Sequence, residues 1–125
     1  MFEVIYSHSR TQALQDGVLI DVSKMAKEAG FKYPVAITSG IEGIIQRAIA
    51  NPKYCNDYNG VLWDILWMCS MKVRSLTTYK DKISDFPFQV IITGVGQRKY
   101  YTFKAACNPG DDMEPAITIM LPNED

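Results

Sequence analysis

The chain has 125 residues, with 13 basic and 14 acidic side chains, a net charge of −1 at pH 7 and 47% hydrophobic content. That length fits one domain with a core of its own, so intrinsic disorder is not expected. No run of basic residues exceeds the pair Arg98–Lys99, so the composition lacks the phosphate-backbone footprint of a nucleic-acid partner.

The elements follow in chain order. Ser9 is a cap-type residue ahead of a short helix over residues 11–16, stopped by Gly17. Residues 18–22 read as extended. Ser23 is expected to cap a helix over 24–29, with Gly30 just past its end. Residues 31–38 are extended, because Pro34 turns Tyr33 away from helix. Thr38 or Ser39 caps a third helix, whose Ile41, Ile44, Ile45, Ala48 and Ile49 form one apolar stripe. Asn51–Pro52 ends it. After a turn-like stretch, Gly60 introduces a helix from Val61 to about Leu76 that is apolar on nearly all sides. Such a helix belongs in the middle of a core. Leu62, Trp63, Leu66, Trp67 and Val73 are therefore expected to be buried against Ile41, Ile45 and Ile49.

The second half changes period. Residues 86–93, 99–107 and 116–121 are rich in aromatic and β-branched side chains, which predicts strands. Tyr101, Phe103 and Ala105 alternate with Thr102, Lys104 and Ala106, as on a sheet with one covered face. Ile117, Ile119 and Leu121 are expected to point inward by the same alternation. Gly94 to Arg98 joins the first two strands as a hairpin. A phosphate loop would need a helix after the glycines, and a strand follows instead. The fold class expected is α+β: a single domain spanning residues 1–125, with N-terminal helices packed on a small antiparallel sheet of about three strands from the C-terminal half. The last three residues, 123–125, are expected to be dispensable for folding.

The chemistry offered is sparse. Cys55, Cys69 and Cys107 are widely spaced and cannot form a zinc set with the single His8. Reduced thiols in a cytoplasm are the simple account, and neither a cofactor nor a metal is expected. No apolar segment reaches the ~18–20 residues that cross a bilayer, and the N-terminus has no signal-peptide pattern. A cytoplasmic location follows as an expectation. A nucleophilic Cys107 would need a base within reach, and nothing brings His8 to it. Asp111, Asp112 and Glu114 could gather a hard cation, although Asp, Gly and Pro are also what turns use. Arg10, Arg47, Arg74 and Arg98 are spread singly; one or two could face an anion.

Four blocks carry a resemblance. They are the segments from Tyr6 to Ser23, from Ala29 to Thr38 and from Leu62 to Met68, and the closing words Pro109-Gly110-Asp111-Asp112-x-Glu114-Pro115-x-Ile117-Thr118-Ile119-Met120-Leu121-Pro122-Asn123-Glu124-Asp125. Together they resemble an uncharacterised family of small proteins from bacterial plasmids, integrative elements and phages. The resemblance implies a mobile-element setting, with no activity or catalytic residue to carry over. The expectation is a non-catalytic accessory protein that counters host defence, either by binding a host defence protein complex or by sequestering a small nucleotide signal. The alternative is a small metal-dependent enzyme acting on a nucleotide or nucleic acid through Asp111, Asp112 and Glu114. Candidate binding residues are Arg10, Gln12, Asp16, Asp64, Asp111, Asp112, Glu114 and Asn123. Self-association stays open.

Overall fold

A computed structural model describes residues 10–76, 85–109 and 115–124. Its helices are α1 (Arg10–Gln15), α2 (Ser23–Glu28), α3 (Ser39–Ala50) and α4 (Tyr58–Leu76). Its strands are β1 (Leu19–Asp21), β2 (Val35–Thr38), β3 (Asp85–Ile91), β4 (Tyr100–Pro109) and β5 (Pro115–Met120).

Local chemistry sets the boundaries. Gly17 follows α1 at φ 78°, a conformation that costs glycine no steric penalty. Ser23 is the first residue of α2 rather than its cap. Its N–H donates to Asp21 Oδ1 at 2.9 Å and its hydroxyl accepts from the Val35 N–H at 3.0 Å, so it ties the β1–α2 corner to β2. Thr38 does cap α3, accepting from the Ile41 N–H at 3.4 Å. Helix α4 starts earlier than expected, at Tyr58, whose hydroxyl donates to the Glu42 carboxylate on α3. That bond and burial raise the Tyr58 pKa above its ordinary value, burial being the larger cause.

The sheet has five strands, in the order β1-β2-β5-β4-β3. The expected three-stranded meander therefore undercounts it, because the extended pieces of the N-terminal half join the same sheet. Strand β2 lies parallel to β5, and every other neighbouring pair is antiparallel. These two pieces, read as extended but not as sheet strands, have only three and four residues, too few for an alternation to register. All four side chains of β2 are buried, the continuous apolar pattern of a strand covered on both faces.

Side chains from paired positions share a face. Val35 and Ile37 of β2 sit beside Ile117 and Ile119 of β5, followed by Ala105 and Phe103 of β4 and by Phe88 of β3. This face meets Ile41 and Ile45 of α3 and Ile65, Leu66 and Cys69 of α4 in one core cluster. Phe103, Ile37, Ile41, Ile45, Ile65, Leu66 and Ile119 are fully buried, and each contributes roughly 1.5–3 kcal/mol. The other face carries Ala36, Thr118 and Met120. Arg10 of α1 reaches it, donating to Thr118 Oγ1 and to the Ile117 carbonyl, both at 2.9 Å.

The expected core set needs one correction. Leu62 and Leu66 are buried, and Trp63 and Val73 partly so, but Trp67 is 39% exposed. It stacks on Trp63 with centroids 5.8 Å apart and shares an uncovered side of α4 with the exposed Met68 and Met71. Helix α4 is apolar all round in sequence, yet only one side of it meets the sheet.

Strand β3 is an edge of the sheet and contains Pro87. The Ile92 N–H donates to the Lys99 carbonyl at 2.9 Å, which fixes the antiparallel alternation. The main-chain groups of Phe86, Phe88 and Val90 then turn toward β4, and position 87 turns outward. Proline, which has no N–H to offer a neighbouring strand, fits that outward position.

Candidate functional site

Strand β4 has ten residues and β5 has six. The pairing runs from Pro109 opposite Pro115 to Lys104 opposite Met120. Beyond Lys104, β4 continues to Tyr100 with β3 on one side only. The same alternation directs the N–H and C=O groups of Tyr100 and Thr102 away from β3, toward the side that β5 has left. A cleft of about 730 Å³ lies there.

Three pieces of chain wall this cleft. The last turn of α3 supplies Arg47. The hairpin between β3 and β4 supplies Gln97 and Arg98, and the segment after β5 supplies Asn123. The hairpin is tied to the end of α3 by two amides. Asn56 Nδ2 donates to the Thr93 carbonyl at 2.8 Å and to the Ala48 carbonyl at 3.3 Å, and Asn51 Nδ2 donates to the Gly94 carbonyl at 3.1 Å. Gly94 sits at φ 93°, and a Cβ there would lie 3.2 Å from the Ala48 carbonyl oxygen. Both facts require glycine. The outcome is that Arg47 and Arg98, far apart in sequence, share one cavity.

The third wall is held by Glu124. Its Oε1 accepts from Thr38 Oγ1 and from the Leu121 N–H, each at 2.8 Å, and its carbonyl accepts from Lys104 Nζ at 2.8 Å. The Glu124 N–H donates back to the Leu121 carbonyl at 3.0 Å. The carboxylate thus lies at the N-terminus of α3, where the helix dipole favours negative charge. Gly40 makes room for this turn, since a Cβ there would stand 2.9 Å from Leu121 Cδ1. The closing turn, expected to be dispensable, is closed on itself at Leu121 and clasped to the body at Thr38 and Lys104.

Arg47 and Arg98 line the cleft, and among the described residues no carboxylate does. Arg98 lies over the Tyr101 ring, 5.9 Å from its centroid, which holds the guanidinium by a cation–π contact. Arg47 makes no hydrogen bond or ion pair among the described residues. A second, smaller cavity of about 310 Å³ runs between α4 and β3, lined by Asp64, Trp67, Met68, Val90, Ile91 and Tyr100 among others. Burial raises the Asp64 carboxyl above the usual carboxylate range. Tyr100 lines both cavities.

The residues singled out from sequence fall in different places. Asn123 lines the basic cleft and Asp64 the smaller cavity. Arg10 ties α1 to β5. Gln12 Nε2 donates to Asp16 Oδ1 at 3.1 Å on the exposed side of α1. Asp111, Asp112 and Glu114 lie outside the described residues, as does His8. Sequence reasoning missed the pairing of Arg47 with Arg98 and the clasp by Glu124. The only signal for either was four scattered arginines and a polar word after a strand.

No described group is set up as a nucleophile. Cys69 is buried in the core, and burial pushes its thiol up to about 12. Among the described residues, no three His, Cys, Asp or Glu side chains gather as a metal site would need, and no helix is long and apolar enough to cross a membrane.

Across its whole length, residues 1–125, the sequence matches the model of a family of unknown function. The chain belongs to DUF6573. No curated protein and no solved structure matches this DUF6573 chain.

Proposed function

We propose that this DUF6573 protein is a non-catalytic binding protein that sequesters a phosphorylated small molecule, a nucleotide, in the cleft of Arg47 and Arg98. The observation that carries the reading is that Arg47 and Arg98 line one cleft beside the main-chain edge of Tyr100 and Thr102, with no carboxylate among the described residues of its lining. Guanidinium forks and strand N–H groups are the donors that phosphate oxygens accept from. A volume near 730 Å³ lies in the range of ligand pockets, roughly 300–1,000 Å³. That leaves room for a ligand with an organic part beyond its phosphate. The described residues place no base or nucleophile beside it, which favours holding over turnover.

In a phage or other mobile element, holding a nucleotide without consuming it would blunt a host defence that signals through that nucleotide. The alternative reading, a metal-dependent enzyme acting through Asp111, Asp112 and Glu114, rests on residues outside those described. A protein-binding form of the same role has one observation in its favour. Trp67, Met68, Met71 and Ile91, each 39–56% exposed, form the kind of apolar surface that partners cover.

Calorimetric titration with nucleoside monophosphates tests the proposal. Binding is expected in the wild type. Arg47→Ala and Arg98→Ala should each weaken it by about tenfold or more, the loss of one charge-assisted contact of about 1.5–3 kcal/mol. Binding that survives both substitutions together would refute this site.

A further inference from the structure

We propose that the cavity between α4 and β3 holds the base of the bound nucleotide and that Asp64 selects guanine. The inference rests on the nucleotide reading of the Arg47–Arg98 cleft and adds the identity of the base. Tyr100 is the reason to join the two cavities: it lines both, and it is 68% exposed. Arg98 and Tyr100 line the same cleft two residues apart along the chain, so a ligand with its phosphate beside Arg98 can extend past Tyr100. An exposed tyrosine face is what a base stacks on.

The smaller cavity suits a flat, mostly apolar ring. Trp67, Met68, Val90 and Ile91 supply hydrophobic walls, and among the described residues Asp64 is the only charged group in its lining. Asp64 makes no hydrogen bond or ion pair among the described residues, and burial is the whole cause of its raised pKa. The Asp64 carboxylate is exposed on one side, so its two acceptor oxygens can exchange water for the donors of a ligand. Guanine satisfies both, because its N1–H and its exocyclic N2–H₂ are neighbouring donors on one edge. Adenine offers an acceptor, N1, beside its single amino group, and cytosine likewise places N3 beside its amino group. Either would set a lone pair against a carboxylate oxygen. Charge also orients the ligand: the Asp64 carboxylate repels phosphate while Arg47 and Arg98 attract it, so the base enters the α4–β3 end and the phosphate the other.

Titrating the full chain with GMP, AMP and inorganic phosphate, on the wild type and on Asp64→Asn, tests the inference. GMP should bind about ten- to hundredfold more tightly than AMP, the discrimination typical of a bidentate base contact. Asp64→Asn should abolish that preference with an unchanged melting temperature, and GMP should still compete with phosphate. Equal binding of GMP and AMP, both lost when Arg47 and Arg98 are replaced, would overturn the guanine inference and leave the anion cleft standing. A GMP preference that persists in Asp64→Asn would overturn it as well. Failure of all three compounds to bind the wild type would overturn the nucleotide reading and this inference with it.

Discussion

Replacing Glu124 with alanine is expected to cost about 2–3 kcal/mol of folding stability. The carboxylate accepts two hydrogen bonds at 2.8 Å, from Thr38 Oγ1 and the Leu121 N–H. A hydrogen bond to a charged group is worth about 1.5–3 kcal/mol, and a buried donor left without its acceptor costs about 1–3 kcal/mol. Thr38 is only 8% exposed, so its hydroxyl would be such a donor, while the Leu121 N–H can turn to water. The two contributions share Glu124 and do not simply add. For a chain of this size, 2–3 kcal/mol lowers the melting temperature by roughly 10 °C. Glu124→Gln keeps an acceptor at Oε1 and loses only the charge, so about half of that shift is expected. Lys104→Met removes a single contact to the tail carbonyl and should cost about 0.5–1.5 kcal/mol. Thermal unfolding followed by circular dichroism reads all three. A Glu124→Ala shift below about 2 °C would show that the closing turn contributes nothing, and the account of the third wall of the cleft would fall with it.

Two further outcomes can be measured on the same protein. Leu66→Ala should cost about 2–5 kcal/mol, because Leu66 is fully buried. Trp67→Ala should cost clearly less despite its larger side chain, and denaturant midpoints that reverse this order would contradict the placement of α4. Stability should also decline in alkali. Cys69 and Tyr58 have ordinary values of 9.0 and 10.0, and both are raised in the fold, chiefly by burial. Raised values mean that the folded state prefers the neutral forms. Their stabilisation is therefore whole below about pH 9 and is lost as pH climbs from there. Urea midpoints between neutral and strongly alkaline pH check this, and Cys69→Ala should delay the onset of the decline.

What could be read from sequence follows from where the determinants lie. The stripe of α3, its Thr38 cap and the hairpin at Gly94 are local features, and they were legible because their partners are a few residues away. The alternation over residues 100–107 gave β4 and its covered face for the same reason. Strand β2 was read as extended but not as part of the sheet, because it is short and buried on both faces, which removes the period that marks a strand. Trp67 was misplaced because hydrophobicity around α4 does not say which side the sheet covers. Arg47 and Arg98 meet only because β4 outruns β5 and because two asparagines pin the hairpin to α3. Neither length nor pinning is written in the residues that line the cleft. Asp64 and Asn123 were singled out as polar positions within apolar words. The structure puts each beside a cavity, while Arg10 turns out to be bonded within the fold.

The place of β5 in the sheet also bears on how the protein comes into being. This strand sits third of five, between β2 and β4, yet it leaves the ribosome after every element it touches. Until then Val35 has no Ile117 to pair with, β2 and β4 each present an open edge, and the apolar faces of α3 and α4 have half a sheet to cover. Such nascent chains expose strand edges to one another and favour aggregation. Joining β2 to β5 also closes a long loop late, which slows folding. Synthesis that stalls before residue 115 should therefore yield a species that depends on chaperones, whereas arrival of residues 115–124 closes the sheet and the clasp in one step.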